Sequence, residues 1–94
     1  MRVRHRIVID AVCPVNGDPD TYVCDVYPLT LLFCETVELW ARELTEEPVT
    51  QEWLTQQLAD KLGCAVRTKG THCRGKVETV CICHPSPAQQ GRPA

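Results

Sequence analysis

Cys13-Pro14-Val15-Asn16-Gly17-Asp18-Pro19-Asp20 is the stretch on which the reading of this chain turns. It sets a thiol seven residues ahead of a carboxylate, across a segment dense in Pro, Asn and Gly. Asn, Gly and Pro are turn formers, since Gly and Asn tolerate positive φ and Pro presets φ. Such a turn can hold a thiol and a carboxylic acid on one side of a pocket. A thiolate attacks an electrophilic carbon, and a nearby acid protonates the atom that gains negative charge. The same residues also make an ordinary hairpin connection with an incidental cysteine, and the stretch by itself leaves both readings open.

Outward from the turn, residues 5–13 alternate as a strand. Ile7, Ile9, Ala11 and Cys13 fall on one face, with Val8 and Val12 beside Arg6 and Asp10 on the other. Residues 21–28 form a second strand, in which Tyr22, Cys24 and Val26 alternate with Val23, Asp25 and Tyr27 until Pro28 ends it. The two pair as an antiparallel hairpin with Cys13 and Asp20 near its tip. Residues 30–44 predict a helix on Leu32, Thr36, Leu39, Trp40 and Leu44, broken by Thr45 to Pro48. Thr50 is the expected N-cap of a second helix, with Gln51 and Glu52 in its first turn. Its buried stripe is Leu54, Leu58 and Leu62, and Gly63 is its stop. Residues 64–69 are a third strand, Gly70 to Gly75 a turn, and residues 76–84 a fourth strand with Val77, Thr79, Cys81 and Cys83 on one face. One domain over 1–84 follows. The tail 85–94, with three prolines and no apolar pattern, is expected to be disordered.

Ninety-four residues suit one domain, and a chain this short buries only about two thirds of its unfolded surface. A deep pocket inside a single copy would remove much of that core, so a site shared between subunits is more economical. A net charge of −2 gives no sign of a polyanion-binding surface. The seven cysteines are an odd number, which argues against a complete disulfide framework. With no membrane-length apolar run, the reading is a cytoplasmic protein with mostly reduced thiols.

Several residues carry two readings. His72, Cys73, Cys81, Cys83 and His84 are zinc-type ligands gathered in the last hairpin. No Cys-x-x-Cys knuckle is present, however, and no His follows Cys13 closely, so no metal is expected. Cys24, Cys34, Cys64 and Cys81 read as small buried hydrophobes. Trp40 belongs to the core stripe, and Trp53 to helix packing or the flank of a ligand. Glu52 either complements the helix dipole or accepts hydrogen bonds from a ligand. Arg74 either meets an anion or is solvated at a turn.

The order strand-strand-helix-helix-strand-strand resembles the tunnelling fold, an α+β architecture shared by GTP cyclohydrolase I, pterin-metabolising enzymes and the nitrile reductase QueF. Residues 13–20 are similar to the QueF segment that carries its catalytic cysteine and aspartate. Asp20 to Pro28 resembles that family's next strand. Gln51 to Leu58 is similar to the helix start that holds a ligand-anchoring glutamate, and Thr71 to Gly75 resembles the turn before the last strand. Two departures stand out. The lysine- and serine-containing stretch associated with the nicotinamide cofactor is replaced by Glu35-Thr36-Val37-Glu38-Leu39-Trp40, and the histidine that usually precedes the glutamate is Gln51. Both departures bring the chain closer to the shorter QueF-like proteins of archaeosine synthesis.

The resemblance implies a four-stranded antiparallel sheet with two helices on one face, with several copies joined into a barrel. It implies a homo-oligomer with sites at subunit interfaces. The implied activity is on the nitrile of 7-cyano-7-deazaguanine, free or within tRNA, through a thioimide on Cys13 with Asp20 as acid. Glu52, His72 and Arg74 bind the substrate in this reading. Reduction would use NADPH, whose motif is not evident; amidination would not. A GTP cyclohydrolase or pterin-type enzyme and a non-catalytic purine-binding or assembly subunit are the alternatives.

Overall fold

The computed structural model describes residues 1–87. Its elements follow in the expected order: β1 (His5–Val12), β2 (Pro19–Tyr27), α1 (Cys34–Leu44), α2 (Gln51–Leu62), β3 (Ala65–His72) and β4 (Val77–Cys83). The strands form one antiparallel sheet in the order β1-β2-β3-β4. Period-two alternation decides which residues meet the helices. Ile9 and Ala11 of β1, Tyr22, Cys24 and Val26 of β2, and Val66 and Thr68 of β3 are buried on one face. Leu54, Leu58 and Ala59 of α2, with Val37 and Ala41 of α1, close the core over them.

The sheet is longer than local pattern suggests at two places. Strand β2 begins at Pro19, not residue 21, because Pro19 and Asp20 already pair with Val12 and Ala11. A proline is tolerated there since the first residue of a strand can do without a ladder donor. Strand β3 runs to His72 instead of ending at 69: Gly70, Thr71 and His72 pair with Thr79, Glu78 and Val77. The turn is confined to the residues after it, with Cys73, Arg74 and Gly75 all at positive φ. Gly70 read as a turn glycine but serves the sheet. It lies opposite Tyr22 in the β2–β3 register, and a Cβ there would overlap the Tyr22 ring.

Helix α1 also departs from expectation. It starts at Cys34, not 30, with Phe33 at its N-cap and no side-chain cap bond. The preceding connection is instead pinned by His5 Nε2 on the Leu32 carbonyl at 3.0 Å. The buried stripe is Val37 and Ala41, flanked by half-buried Trp40 and Leu44, while Leu39 is 47% exposed. Helix α2 matches its expected signals. Thr50 Oγ1 accepts from the Trp53 N–H at 3.2 Å, and Gly63 ends the helix in the left-handed region at φ 68°. Trp53 is 45% exposed and so not a packed helix residue. The cysteines divide: Cys24 and Cys64 are buried as expected, but Cys81 is only half-buried and Cys34 is exposed, its thiol donating to Glu35 at 3.2 Å. Within the expected tail, the Ser86 N–H donates to Asp60 Oδ1 at 2.8 Å, and residues 88–94 lie outside the described residues.

The face of the sheet away from the helices carries one buried charge. Asp25 is 1% exposed beneath a cover of arginines. Arg6 donates to both its oxygens at 2.7 and 3.2 Å, Arg67 lies 3.6 Å away and Arg4 3.9 Å. The Arg6 hydrogen bonds hold the Asp25 carboxyl below the usual carboxylate range, against the opposing pull of burial.

Candidate functional site

The β1–β2 connection is a closed turn. The Cys13 N–H donates to the Asp18 carbonyl and the Gly17 N–H donates to the Cys13 carbonyl, both at 2.9 Å. Asn16 Oδ1 accepts from the Asp18 N–H at 2.9 Å, and Gly17 supplies the positive φ of 76°. Both backbone groups of Cys13 are therefore committed to the turn, which fixes where its half-buried thiol leaves the chain. Helix α2 is tied to the same place. The Val49 N–H donates to the Val12 carbonyl at 3.1 Å, one residue before the Thr50 cap. That single bond sets the first turn of α2, with Gln51 and Glu52, beside the hairpin tip.

The result is a cleft of about 220 Å³ lined by Cys13, Pro14, Asp20, Tyr22, Gln51, Glu52 and His72, with Val15, Val49, Thr50 and Thr79. Four of the five residues singled out from sequence meet here: Cys13, Asp20, Glu52 and His72. Arg74 does not line it and stands exposed on the β3–β4 turn at φ 58°. A larger cavity of about 560 Å³ opens at the other end of the sheet, beside Tyr27, Leu29, Cys64 and Pro85. Its lining is mainly apolar, and its Asp60 is already occupied by Gln56 and Ser86. Burial pushes the Cys64 thiol up, away from the thiolate form. Chemistry therefore favours the smaller cleft.

Within it, Tyr22 Oη donates to Asp20 Oδ2 at 3.1 Å. Burial first, and then the Asp20 carboxylate, hold the Tyr22 hydroxyl protonated well above the usual phenol range. It is thus a fixed donor that positions Asp20. The Tyr22 ring also lies 6.1 Å from that of His72, tilted by 46°. Burial and the Glu52 carboxylate both push the neighbouring Cys81 thiol up. With two carboxylates and a thiol, the cleft is rich in acceptors and suits a ligand edge that donates hydrogen bonds.

Sequence reasoning placed Gln51 in the first turn of α2 and as a departure from a histidine, but missed its part in the site. It is 1% exposed, and its amide nitrogen donates to the Thr79 carbonyl at 3.0 Å, Thr68 Oγ1 at 3.1 Å and the Thr68 carbonyl at 3.3 Å. Its Oε1 stands 2.7 Å from His72 Nε2. A signal was present: 51, 54, 55 and 58 form one helical stripe, and a polar side chain on a buried stripe must have partners.

The stretch 35–40 brings neither a lysine nor a serine to α1. Glu35 and Glu38 put two carboxylates on the first half of α1, and Glu38 is bridged to Arg42 at 2.8 Å. Among the described residues, no three His, Cys, Asp or Glu side chains gather as a ligand set for a metal ion. Nor is any described helix long and apolar enough to cross a membrane.

Two antiparallel hairpins joined by a helix pair define the fold. The fold is that of a QueF-like protein. The crystal structure of the archaeosine synthase QueF-Like in the apo form superposes with a TM-score of 0.69 at 20% sequence identity, over 92% of this chain and 96% of that one. No protein-family model matches the sequence, and no curated protein matches it.

Proposed function

We propose that this protein is a QueF-like enzyme that adds the Cys13 thiol to the nitrile of 7-cyano-7-deazaguanine, within queuosine- or archaeosine-type metabolism. One observation carries the reading: Cys13, Asp20, Glu52 and His72, from separate segments, line one cleft. The addition balances by itself. An Sγ–C bond forms, one C–N π bond breaks, and the thiol proton ends on nitrogen, with Asp20 at hand to carry it. Glu52 accepts from the adjacent N–H and amino donors of the purine-like ring, and a carboxylate does so with both oxygens. The absence of a lysine- and serine-containing stretch at residues 35–40 favours amidination over reduction. In that step an ammonia-level nitrogen displaces the thiolate and yields an amidine.

The outer strands β1 and β4 each have an open edge, and Val8 and Ile82 are exposed on them. Copies joined edge to edge would cover these edges and bring neighbouring loops to the cleft, so the working form in this proposal is a homo-oligomer. The test is intact-mass spectrometry after incubation with 7-cyano-7-deazaguanine. Wild-type protein gains the mass of the nitrile and Cys13→Ala gains none. An adduct that persists in the alanine variant refutes Cys13 as nucleophile. Ligand binding without any adduct points to a purine-binding subunit instead.

A further inference from the structure

Residue 51 controls what the cleft can recognise through His72. The amide nitrogen of Gln51 faces two backbone carbonyls, Thr79 at 3.0 Å and Thr68 at 3.3 Å. Carbonyl oxygens only accept, so the NH2 end of the amide must be the end turned toward them. Rotating the amide by half a turn would set Oε1 against both carbonyls in a fully buried site. With this orientation fixed, the oxygen facing His72 Nε2 at 2.7 Å can only accept as well. The hydrogen in that bond therefore sits on Nε2.

The rest of the network runs in the same sense. Thr55 Oγ1 donates to the Gln51 backbone carbonyl at 2.7 Å. With its one proton used, Thr55 must accept in its 2.6 Å contact with Thr68 Oγ1, so Thr68 donates there. Thr68 Oγ1 is then free to accept from the Gln51 amide at 3.1 Å. Each hydroxyl gives one proton, and no buried side-chain nitrogen or oxygen among the described residues lacks a partner. Gln51, Thr55 and Thr68 are all nearly inaccessible to solvent, so water does not compete for these bonds.

We propose that Gln51 is a positioning residue that fixes a proton on Nε2 of His72, so that the neutral ring offers Nδ1 as an acceptor for a ligand N–H in the cleft. A histidine free to choose either tautomer could accept or donate; a locked one selects donors. Together with the Asp20 and Glu52 carboxylates it makes the cleft an acceptor-lined reader of a donor-rich heterocycle edge. The assignment of that ligand rests on the function proposed above, whereas the lock itself does not.

The experiment separates the two. Nitrogen-15 NMR of ligand-free wild-type protein at about pH 8, above the ordinary imidazole pKa of about 6.5, reads the His72 ring directly. The expected result is a pyrrole-type Nε2 with a slowly exchanging proton, and a pyridine-type Nδ1. A ring protonated on Nδ1, on both nitrogens, or averaging between tautomers overturns the lock. Gln51→Met, nearly isosteric but without donor or acceptor, should lose the slow Nε2 proton while its circular dichroism spectrum stays that of the folded wild type. Persistence of that slow proton in a folded Gln51→Met protein also overturns the lock. In a Cys13→Ala background, Gln51→Met should weaken noncovalent binding of 7-cyano-7-deazaguanine by roughly five- to tenfold, the usual weight of one hydrogen bond. Equal affinity would refute the recognition role. Failure of wild-type protein to bind the nitrile at all would refute the proposed substrate and leave the tautomer result standing.

Discussion

Asp25 and Gln51 are each 1% exposed, yet the two faces of the sheet satisfy them in opposite ways. Asp25 is a charge answered by charges. Its arginine partners reach in from the solvent side, and the Arg6 side chain is itself 53% exposed. Gln51 is neutral and is answered by hydroxyls and carbonyls held within the fold. The ionic cluster therefore lies open to salt, whereas the bonds of Gln51 to hydroxyls and carbonyls hold no charge for salt to screen. Only the amide network reaches the cleft. A site whose geometry must not drift with the medium is better held by the second kind.

The largest way to break this contrast is Gln51→Met. It strands the Thr79 and Thr68 carbonyls and the His72 N–H, and should cost about 3 kcal/mol in denaturant unfolding, with little change between low and high salt. A salt-dependent loss would mean that the network is not purely neutral. Gly70→Ala comes next. The added methyl must displace the buried Tyr22 ring, and with it the donor to Asp20. About 2 kcal/mol should be lost, and adduct formation should slow as well. Unchanged stability would mean that β3 shifts without strain.

Asp25→Asn should cost about 1–2 kcal/mol, moderated because its main partner is half solvated, and the loss should shrink in about 1 M salt. The pH sign follows from the depressed carboxyl. A carboxylate favoured in the folded state contributes fully above its unfolded pKa of about 3.9, and that contribution is lost as pH falls through the lower folded value. The wild type should therefore lose stability faster than Asp25→Asn below about pH 4. Parallel acid profiles would argue against the ion cluster. The smallest effect belongs to Thr50→Ala, which removes the cap of α2 and should cost about 1 kcal/mol. Because that cap sits next to Gln51, the His72 proton signal should broaden slightly while Asp25 is untouched.

Local chemistry in the chain determined a great deal. Period-two alternation in 5–12 and 21–27 gave the first hairpin and its inner face, because successive side chains of a strand must point to opposite sides. Thr50 and Gly63 marked both ends of α2, since orphan amides want a hydroxyl and a helix stop wants positive φ. Asn16-Gly17 marked the turn that holds Cys13. Those are short-range demands, satisfied within a few residues of where they arise. Other features depended on partners distant in sequence. Gly70 to His72 looked like a turn because Gly favours turns, but cross-strand pairing with β4 and the space needed by Tyr22 drew them into the sheet. The choice of Val37 and Ala41 over Leu39 as the buried stripe of α1 followed from which side of the helix meets the core. Asp25 was buried by arginines on other strands, and Gln51 met His72 across twenty-one positions. The sequence named the thiol, the acids and the imidazole; only the tertiary structure brought them to one cleft and chose which nitrogen of the imidazole carries the proton.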